Sequence, residues 1–153
     1  MKLLWLDLNS SYAHSSLALP ALHAQIADDT SIEWDIVSAT INENVGLTVN
    51  EVYHRQPDIL AATTWLFNHE QLLEYFLHKN LYVSCVFRGE GEEVFPQWLA
   101  CRHEQEKWNT IPGLCYLDSN GQYRDNGIAR VLKFSDLIPP EKSRFFNWSK
   151  PFV

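Results

Sequence analysis

Three short segments of this 153-residue chain carry side chains suited to holding a ligand. Residues 10–16 read Ser-Ser-Tyr-Ala-His-Ser-Ser, a second segment is Thr64-Trp65-Leu66, and a third is Arg88-Gly-Glu-Gly-Glu92. Glycines let a ligand or another backbone approach closely, but the adjacent carboxylates would repel a phosphate. Hydroxyls, aromatic walls and carboxylate acceptors favour a neutral ligand that carries amide or hydroxyl donors.

Each of these segments follows an apolar run that predicts a buried strand, namely Lys2–Leu8, Ile59–Thr63 and Val83–Phe87. A further strand is predicted at Ile32–Ser38, and the strands alternate with helical patterns at 17–27, 41–56, from Asn68, and 92–108. The alternation predicts a flavodoxin-like, Rossmann-like α/β fold with a doubly wound parallel sheet. Ligands of such sheets bind outside the carboxyl ends of the strands, where all three segments lie.

Capping residues predict where the helices begin. Pro20 is tolerated only in a first helical turn, so Ser15 or Ser16 is predicted to cap the first helix. Thr48-x-x-Glu51 predicts a capping box in the second helix.

The interval from Asn68 to Val83 holds only about one helix, whereas a regular unit needs a helix, a strand and another helix. We therefore expect a strand–helix unit to be missing near Leu72–Phe76, through a deletion or through a physical gap in the chain.

The C-terminal third departs from this alternation. Asn120-Gly121 between the strand-like runs 114–117 and 122–124 predicts a β-hairpin over 114–124. Residues 133–153 are rich in proline and aromatic side chains and are predicted to form a linker. The predicted organisation is a domain over residues 1–132, followed by that linker.

Composition excludes several classes of function. The formal net charge is −7 and basic residues form no stripe with aromatic ones, which argues against a nucleic-acid partner. No apolar run approaches the 18 residues of a membrane span, and the N-terminus lacks the cleavage site of a signal peptide. Cys85, Cys101 and Cys115 are too widely spaced for a zinc site, so thiols in a reducing cytoplasm are expected.

The chain resembles the N-terminal cobalamin (vitamin B12)-binding domain of cobalamin-dependent radical S-adenosylmethionine (SAM) proteins, over nearly its whole length. The segments that carry the resemblance are 8–19, 57–60 and 87–92, followed in order by 111–114, the hairpin and 137–139. Of the Asp-x-His-x-x-Gly, Ser-x-Leu and Gly-Gly motifs of the wider group, the chain keeps only His14 and a substituted Thr64-Trp65-Leu66. No Gly-Gly occurs, and in the family that pair lines the channel for the nucleotide tail.

The resemblance implies that cobalamin binds at the carboxyl ends of the strands. The residues expected to contact it are Ser10, Ser11, Tyr12, His14, Ser15, Thr64, Trp65, Leu66, Gly89, Glu90, Gly91 and Glu92. It also implies a radical SAM barrel after Val153 that carries the 4Fe-4S cluster and SAM. The domain would present the corrinoid to that barrel for a methyl transfer or a radical rearrangement, with no catalytic residue of its own.

Several alternatives stay open at the level of the sequence. His14 would ligate cobalt, contact the corrin without ligation, or serve only the structure. Arg88–Glu92 would contact the ligand or form a plain turn whose acids favour the next helix dipole. Thr64–Leu66 would be a cofactor wall or a core edge. The alternative functions are a cofactor-free interaction domain that packs on the barrel and a response-regulator-like signalling module.

Overall fold

The protein is represented by a computed structural model that describes residues 1–9, 17–40, 42–63, 70–129 and 133–146. The chain divides into two compact units. The first unit comprises Met1–Thr63 with Ile138–Val153, and the second comprises Thr64–Leu137. No helix within the described ranges is long and apolar enough to cross a membrane.

The first unit contains a parallel sheet with the strand order β2-β1-β3. Its strands are β1 (Lys2–Asn9), β2 (Glu33–Thr40) and β3 (Ile59–Ala62), and its helices are α1 (Ala18–Gln25) and α2 (Val45–Arg55). Three consecutive β1 side chains, Leu3, Leu4 and Trp5, are buried, as expected of a strand covered on both faces. The predicted βαβαβ parallel arrangement of the first half is therefore confirmed.

The helices of this unit begin at other residues than the capping patterns predict. α1 starts at Ala18 after Leu17, which makes no side-chain cap bond, and Pro20 lies in the first turn as expected. The predicted caps Ser15 and Ser16 lie outside the described residues. In α2 the Asn44 side chain accepts a hydrogen bond from the Gly46 N–H at 2.9 Å. The Thr48 capping box is therefore wrong, because an asparagine four residues earlier already caps the helix.

An ion-pair network attaches α2 to the sheet. None of the 11 described side chains of this helix is fully buried. Arg55 instead donates to the Asp35 carboxylate at 2.7 Å and to Glu51 at 2.6 Å. The hydrogen bond from Arg55 lowers the pKa of Asp35 below its ordinary value. α2 is thus attached mainly by polar contacts, and Val45, Leu47, Val49 and Tyr53 remain exposed on it.

The second unit contains an antiparallel sheet with the order β4-β5-β6. Its strands are β4 (Cys85–Phe87), β5 (Leu114–Leu117) and β6 (Tyr123–Asp125), and its helices are α3 (Glu70–Lys79) and α4 (Gly91–Ala100). The hairpin prediction is confirmed, since β5 and β6 pair antiparallel. The prediction that 83–87 continues the parallel sheet is wrong, because β4 pairs antiparallel with β5. The predicted helix 92–108 ends at Ala100, and a 3₁₀ helix follows at Gln105–Thr110.

The two faces of the antiparallel sheet bury different side chains. Cys115 packs with Leu73 and Leu77 of α3, whereas Tyr116 packs edge-to-face on Trp108. Cys85 lies opposite Tyr116 in the strand register, so its side chain points away from the face that carries Cys115. A disulfide between these cysteines is therefore excluded by geometry. Burial raises the pKa of Cys85 to about 12 and that of Cys115 to about 11, as expected of unreactive thiols.

The connection from β3 to β4 contains α3, which is an unbroken helix from Glu70 to Lys79. The expectation of a physical gap near Leu72–Phe76 is wrong. A deletion of a strand–helix unit is still compatible with the described residues, because their parallel sheet stops at three strands, with β3 at its edge.

The C-terminal segment Ile138–Phe146, which we call the strap, packs on α1 of the first unit. The Gln25 side chain donates to the Ile138 carbonyl at 2.9 Å and accepts from the Ile138 N–H at 3.2 Å. The strap contains a 3₁₀ turn at Pro140–Lys142, and Ser143 is buried. This part of the predicted linker is therefore folded against the first unit.

Candidate functional site at the edge of the parallel sheet

The carboxyl edge of the parallel sheet is stepped, because its strands end at different heights. β1 pairs with β3 only as far as Leu6 opposite Ala62, but with β2 as far as Asn9 opposite Thr40. β1 therefore extends past β3 by three residues, about 10 Å at the usual rise of a strand. We call this offset between the ends of β1 and β3 the step.

The step presents apolar surface, with one threonine at the end of β3. Leu8 and Ala62 lie on the same face of the sheet, since Ala62 pairs with Leu6, two residues before Leu8. Leu8 is 42% exposed although it belongs to a central strand, and Ala62 is exposed as well. Thr63 follows Ala62 and is half-buried. This arrangement suits a ligand with a flat apolar surface and polar groups at its rim.

The neighbouring strand β2 carries polar groups at the same edge, on the face of the sheet opposite to Leu8 and Ala62. Ser38 is exposed and lies opposite Asp7 of β1. Thr40 is already engaged, since both its N–H and its hydroxyl donate to the Glu43 carboxylate at 3.3 Å. Glu43 thus orders the loop after β2, and Ser38 is the more accessible hydroxyl.

Two of the three segments predicted to bind the ligand leave the sheet at this edge. Ser10 directly follows the last residue of β1, and Thr64 follows β3 after one residue. The predicted contacts in these segments lie outside the described residues; they are Ser10, Ser11, Tyr12, His14, Ser15, Thr64, Trp65 and Leu66. Their roles, including ligation of cobalt by His14, stay predictions. The described ranges contain no group of three or more residues that could hold a metal ion.

The third segment, Arg88–Glu92, belongs to the second unit, and its own chain occupies the space beside its first glycine. Gly89 has φ +88°, and a Cβ at this position would lie 3.0 Å from Ile128 Cγ2 and 3.2 Å from the Ala129 carbonyl oxygen. The Arg88 guanidinium forms an ion pair with Asp125, and its carbonyl accepts from the Ala129 N–H at 3.1 Å. The close approach that this glycine permits is therefore an intramolecular one.

The acidic residues of this segment lie at the start of α4. Gly91 is the first residue of the helix, and Glu90 is its N-cap, without a side-chain cap bond. Glu92 and Glu93 fall in the first turn, where negative charge is favoured by the helix dipole. The turn thus has a complete structural explanation, and contact of Gly89, Glu90, Gly91 and Glu92 with a ligand stays a prediction.

Sequence reasoning missed Leu8, Ala62 and Ser38 as candidate site residues. Leu8 and Ala62 read as ordinary members of buried strands, and their exposure follows only from the unequal lengths of β1 and β3. The one available signal was the apolar run 59–63, which is two residues shorter than the run 2–8.

No protein-family model matches this chain, and no curated protein matches its sequence. Solved structures do share its fold. The cobalamin-dependent SAM radical enzyme OxsB with aqua-cobalamin bound aligns with 85% of the chain at 15% identity and a TM-score of 0.58. The apo, selenomethionine-labelled form of OxsB aligns with 90% at 14% identity and a TM-score of 0.59.

A second solved enzyme has the same likeness. The radical SAM methyltransferase TsrM from Kitasatospora setae, with tryptophan substrate and the SAM analogue aza-SAM bound, aligns with 81% of the chain at 16% identity and a TM-score of 0.56. The chain spans 22% and 23% of the two OxsB chains and 30% of the TsrM chain. The fold is shared with part of each enzyme. Identities this low establish the fold and nothing finer.

Proposed function

We propose that this chain binds cobalamin at the carboxyl edge of its parallel sheet. The observation that carries the proposal is the stepped edge, at which Leu8 and Ala62 are exposed on one face of the sheet and Ser38 is exposed on the other. The shared fold supports it, because one of the aligned structures is described as having aqua-cobalamin bound. Binding at this edge also agrees with the general position of ligands in open α/β sheets.

The residues present fit one part of cobalamin better than another. A corrin ring is a broad, mostly apolar disc with amide side chains, which suits apolar side chains flanked by hydroxyls. The chain has no pair of adjacent glycines, so a channel for the nucleotide tail of the kind seen in the wider group is not formed by such a pair. We therefore propose that recognition rests on the corrin more than on the tail.

The proposal extends to a longer polypeptide. We propose that the corrinoid is presented to a radical SAM domain of the same protein, which would carry the 4Fe-4S cluster and SAM in the cytoplasm and perform a methyl transfer or a radical rearrangement. This chain would supply binding and orientation of the corrinoid, whose cobalt chemistry supplies the transferable group or the radical. A C-x-x-x-C-x-x-C motif encoded after Val153 would support this extension, and its absence from the full protein would contradict it.

Binding is tested by titrating the purified chain with hydroxocobalamin and separating the complex by gel filtration. We expect a coloured protein peak, and we expect Ala62→Trp to weaken binding by tenfold or more, about 1.4 kcal/mol, because an indole fills the step. Ala100→Trp is the matched control, since Ala100 is also exposed but ends α4 in the second unit. Equal affinities of the two variants for cobalamin would contradict a site at the step.

Replacing His14 by alanine tests the role of this residue in binding. If the imidazole ligates cobalt, the visible spectrum of the bound corrinoid shifts in the His14→Ala variant, because the axial ligand changes. An unchanged spectrum with unchanged affinity would assign His14 a structural role. An unchanged spectrum with weaker binding would assign it a contact with the corrin that does not involve cobalt.

A cofactor-free interaction domain is the second candidate function. It is favoured by the described parallel sheet, which has only three strands, and by its edge strand β3, on which Leu60 is 51% exposed. Such a domain would pack on a partner through this surface and would stay colourless in the hydroxocobalamin titration. A chain whose circular dichroism and cooperative unfolding show it to be folded, but which binds no corrinoid, would favour this second function.

A further inference from the structure

The strap packs against α1 and β2 around a buried histidine. His23 of α1 is only 7% exposed, and its Nδ1 is buried without a hydrogen-bond partner in the described part of the chain. Its ring meets Trp34 of β2 edge-to-face at 5.2 Å between centroids and Phe145 of the strap at 4.9 Å. One imidazole therefore lies at the junction of α1, β2 and the strap.

Arg144 supplies the second half of this junction. Its guanidinium donates to the Trp34 carbonyl at 2.9 Å and stacks over the Phe145 ring at 4.9 Å. The contact closes the strap against β2, which is an edge strand of the described sheet. It also leaves a permanent positive charge beside the imidazole, since an arginine stays protonated at every physiological pH.

Among the described residues, no carboxylate around His23 is placed to balance a second cation. From the strap, Arg144 faces the ring, while Glu141 and Lys142 are exposed on the 3₁₀ turn. From β2, Trp34 faces the ring, and its neighbours Glu33 and Asp35 point to the other face of the strand, where Asp35 is paired with Arg55. An imidazolium at this position would be both desolvated and next to a guanidinium.

We propose that His23 is a pH-sensitive lock on the strap: the neutral imidazole holds Ile138–Phe146 against α1 and β2, and its protonation releases the strap and exposes the Trp34 edge of the sheet. The proposal does not depend on cobalamin binding. Burial, and secondly Arg144, lower the pKa of His23 below its ordinary value of 6.5. The folded, strapped state therefore binds fewer protons than the released one, so strap attachment is complete above pH 6.5 and is lost as the pH falls below it.

Hydrogen–deuterium exchange between pH 7.5 and pH 5, corrected for the intrinsic rate of each amide, tests the proposal on the whole chain. We expect opening of the peptide that covers 138–146 to rise by up to about tenfold per pH unit below 6.5. A peptide that covers β1 should keep its protection over the same range. Parallel loss of protection in both peptides would mean general unfolding and would overturn a local lock.

Variants identify the titrating group. His23→Gln, which cannot be protonated, should remove the pH dependence of strap exchange, whereas His54→Gln on the exposed surface of α2 should keep it. Arg144→Gln serves if His23→Gln does not fold. It should open the strap more at every pH and make the pH dependence shallower, because the imidazolium no longer faces a second cation. A wild-type pH dependence retained in His23→Gln, or an unchanged slope in Arg144→Gln, would overturn the proposal.

Discussion

Replacing Gly113 by alanine is expected to destabilise the second unit by about 3 kcal/mol. Gly113 has φ +79°, which costs a residue with a side chain about 1–2 kcal/mol. An alanine Cβ would in addition lie 2.6 Å from the Arg88 carbonyl oxygen and 2.8 Å from Ala129 Cβ. Both neighbours are backbone or directly attached to it and move only with the main chain, so overpacking adds about 1–3 kcal/mol.

Gly121→Ala is the matched control for this prediction. Gly121 has φ +73°, but apart from its chain neighbours no atom of the described residues lies within 4 Å of the position that its Cβ would occupy. Its replacement should therefore cost only the conformational part, about 1–2 kcal/mol. The free energies of unfolding are compared by urea titration, monitored by tryptophan fluorescence. Two variants that differ by less than about 0.5 kcal/mol would mean that the chain at Arg88 and Ala129 adjusts freely around Gly113.

Replacing Arg88 by methionine should be the next most damaging change, at about 2–3 kcal/mol. The side chains of Arg88 and Asp125 are only 11% and 19% exposed, and they form an ion pair. Asp125 also accepts a hydrogen bond from the Gly127 N–H at 2.8 Å, which fixes the carboxylate in place. Loss of the guanidinium leaves this carboxylate largely buried and without its cation. Removing one partner of a buried ion pair is strongly destabilising, because the remaining charge is uncompensated.

Two further variants separate this effect from a general loss of charge. Arg124→Met removes a cation whose side chain is 55% exposed beside Asp118, so it should cost less than about 1 kcal/mol. Combining Arg88→Met with Asp125→Asn should recover part of the stability, because it removes the stranded charge. Equal destabilisation by Arg88→Met and Arg124→Met in the same urea titration would contradict a stabilising buried ion pair at Arg88.

These two predictions also bear on the acidic glycine segment. Arg88 and Gly113 are joined by the hydrogen bond from the Arg88 N–H to the Gly113 carbonyl at 2.7 Å. The backbone at Arg88–Gly89 is thus held by contacts with residues 113 and 125–129 of the same unit. Its glycine and its arginine are required by packing whether or not a ligand binds there.

The sequence by itself determined the elements that depend on local pattern. Mostly apolar segments predict buried strands, so β1, β2 and β3 and their alternation with helices could be read directly. Asn120-Gly121 predicts the hairpin, because these residues readily adopt the tight turn between two strands. The capping-box prediction at Thr48 failed for a local reason, since Asn44 lies four residues earlier and asparagine is the stronger N-cap residue.

The tertiary structure decided everything that depends on partners distant in sequence. An apolar run such as Val83–Phe87 looks the same in a parallel and an antiparallel sheet, and only pairing with β5 makes β4 antiparallel. The step exists because β1 continues beyond the last residue that pairs with β3. This difference in strand length is defined only by the pairing of the strands. The contact of His23 with Phe145 joins residues more than a hundred positions apart, and no local pattern reports such a contact. The sequence pattern indicates how much of a helix or strand is buried. Strand register and side-chain packing determine which residues cover it.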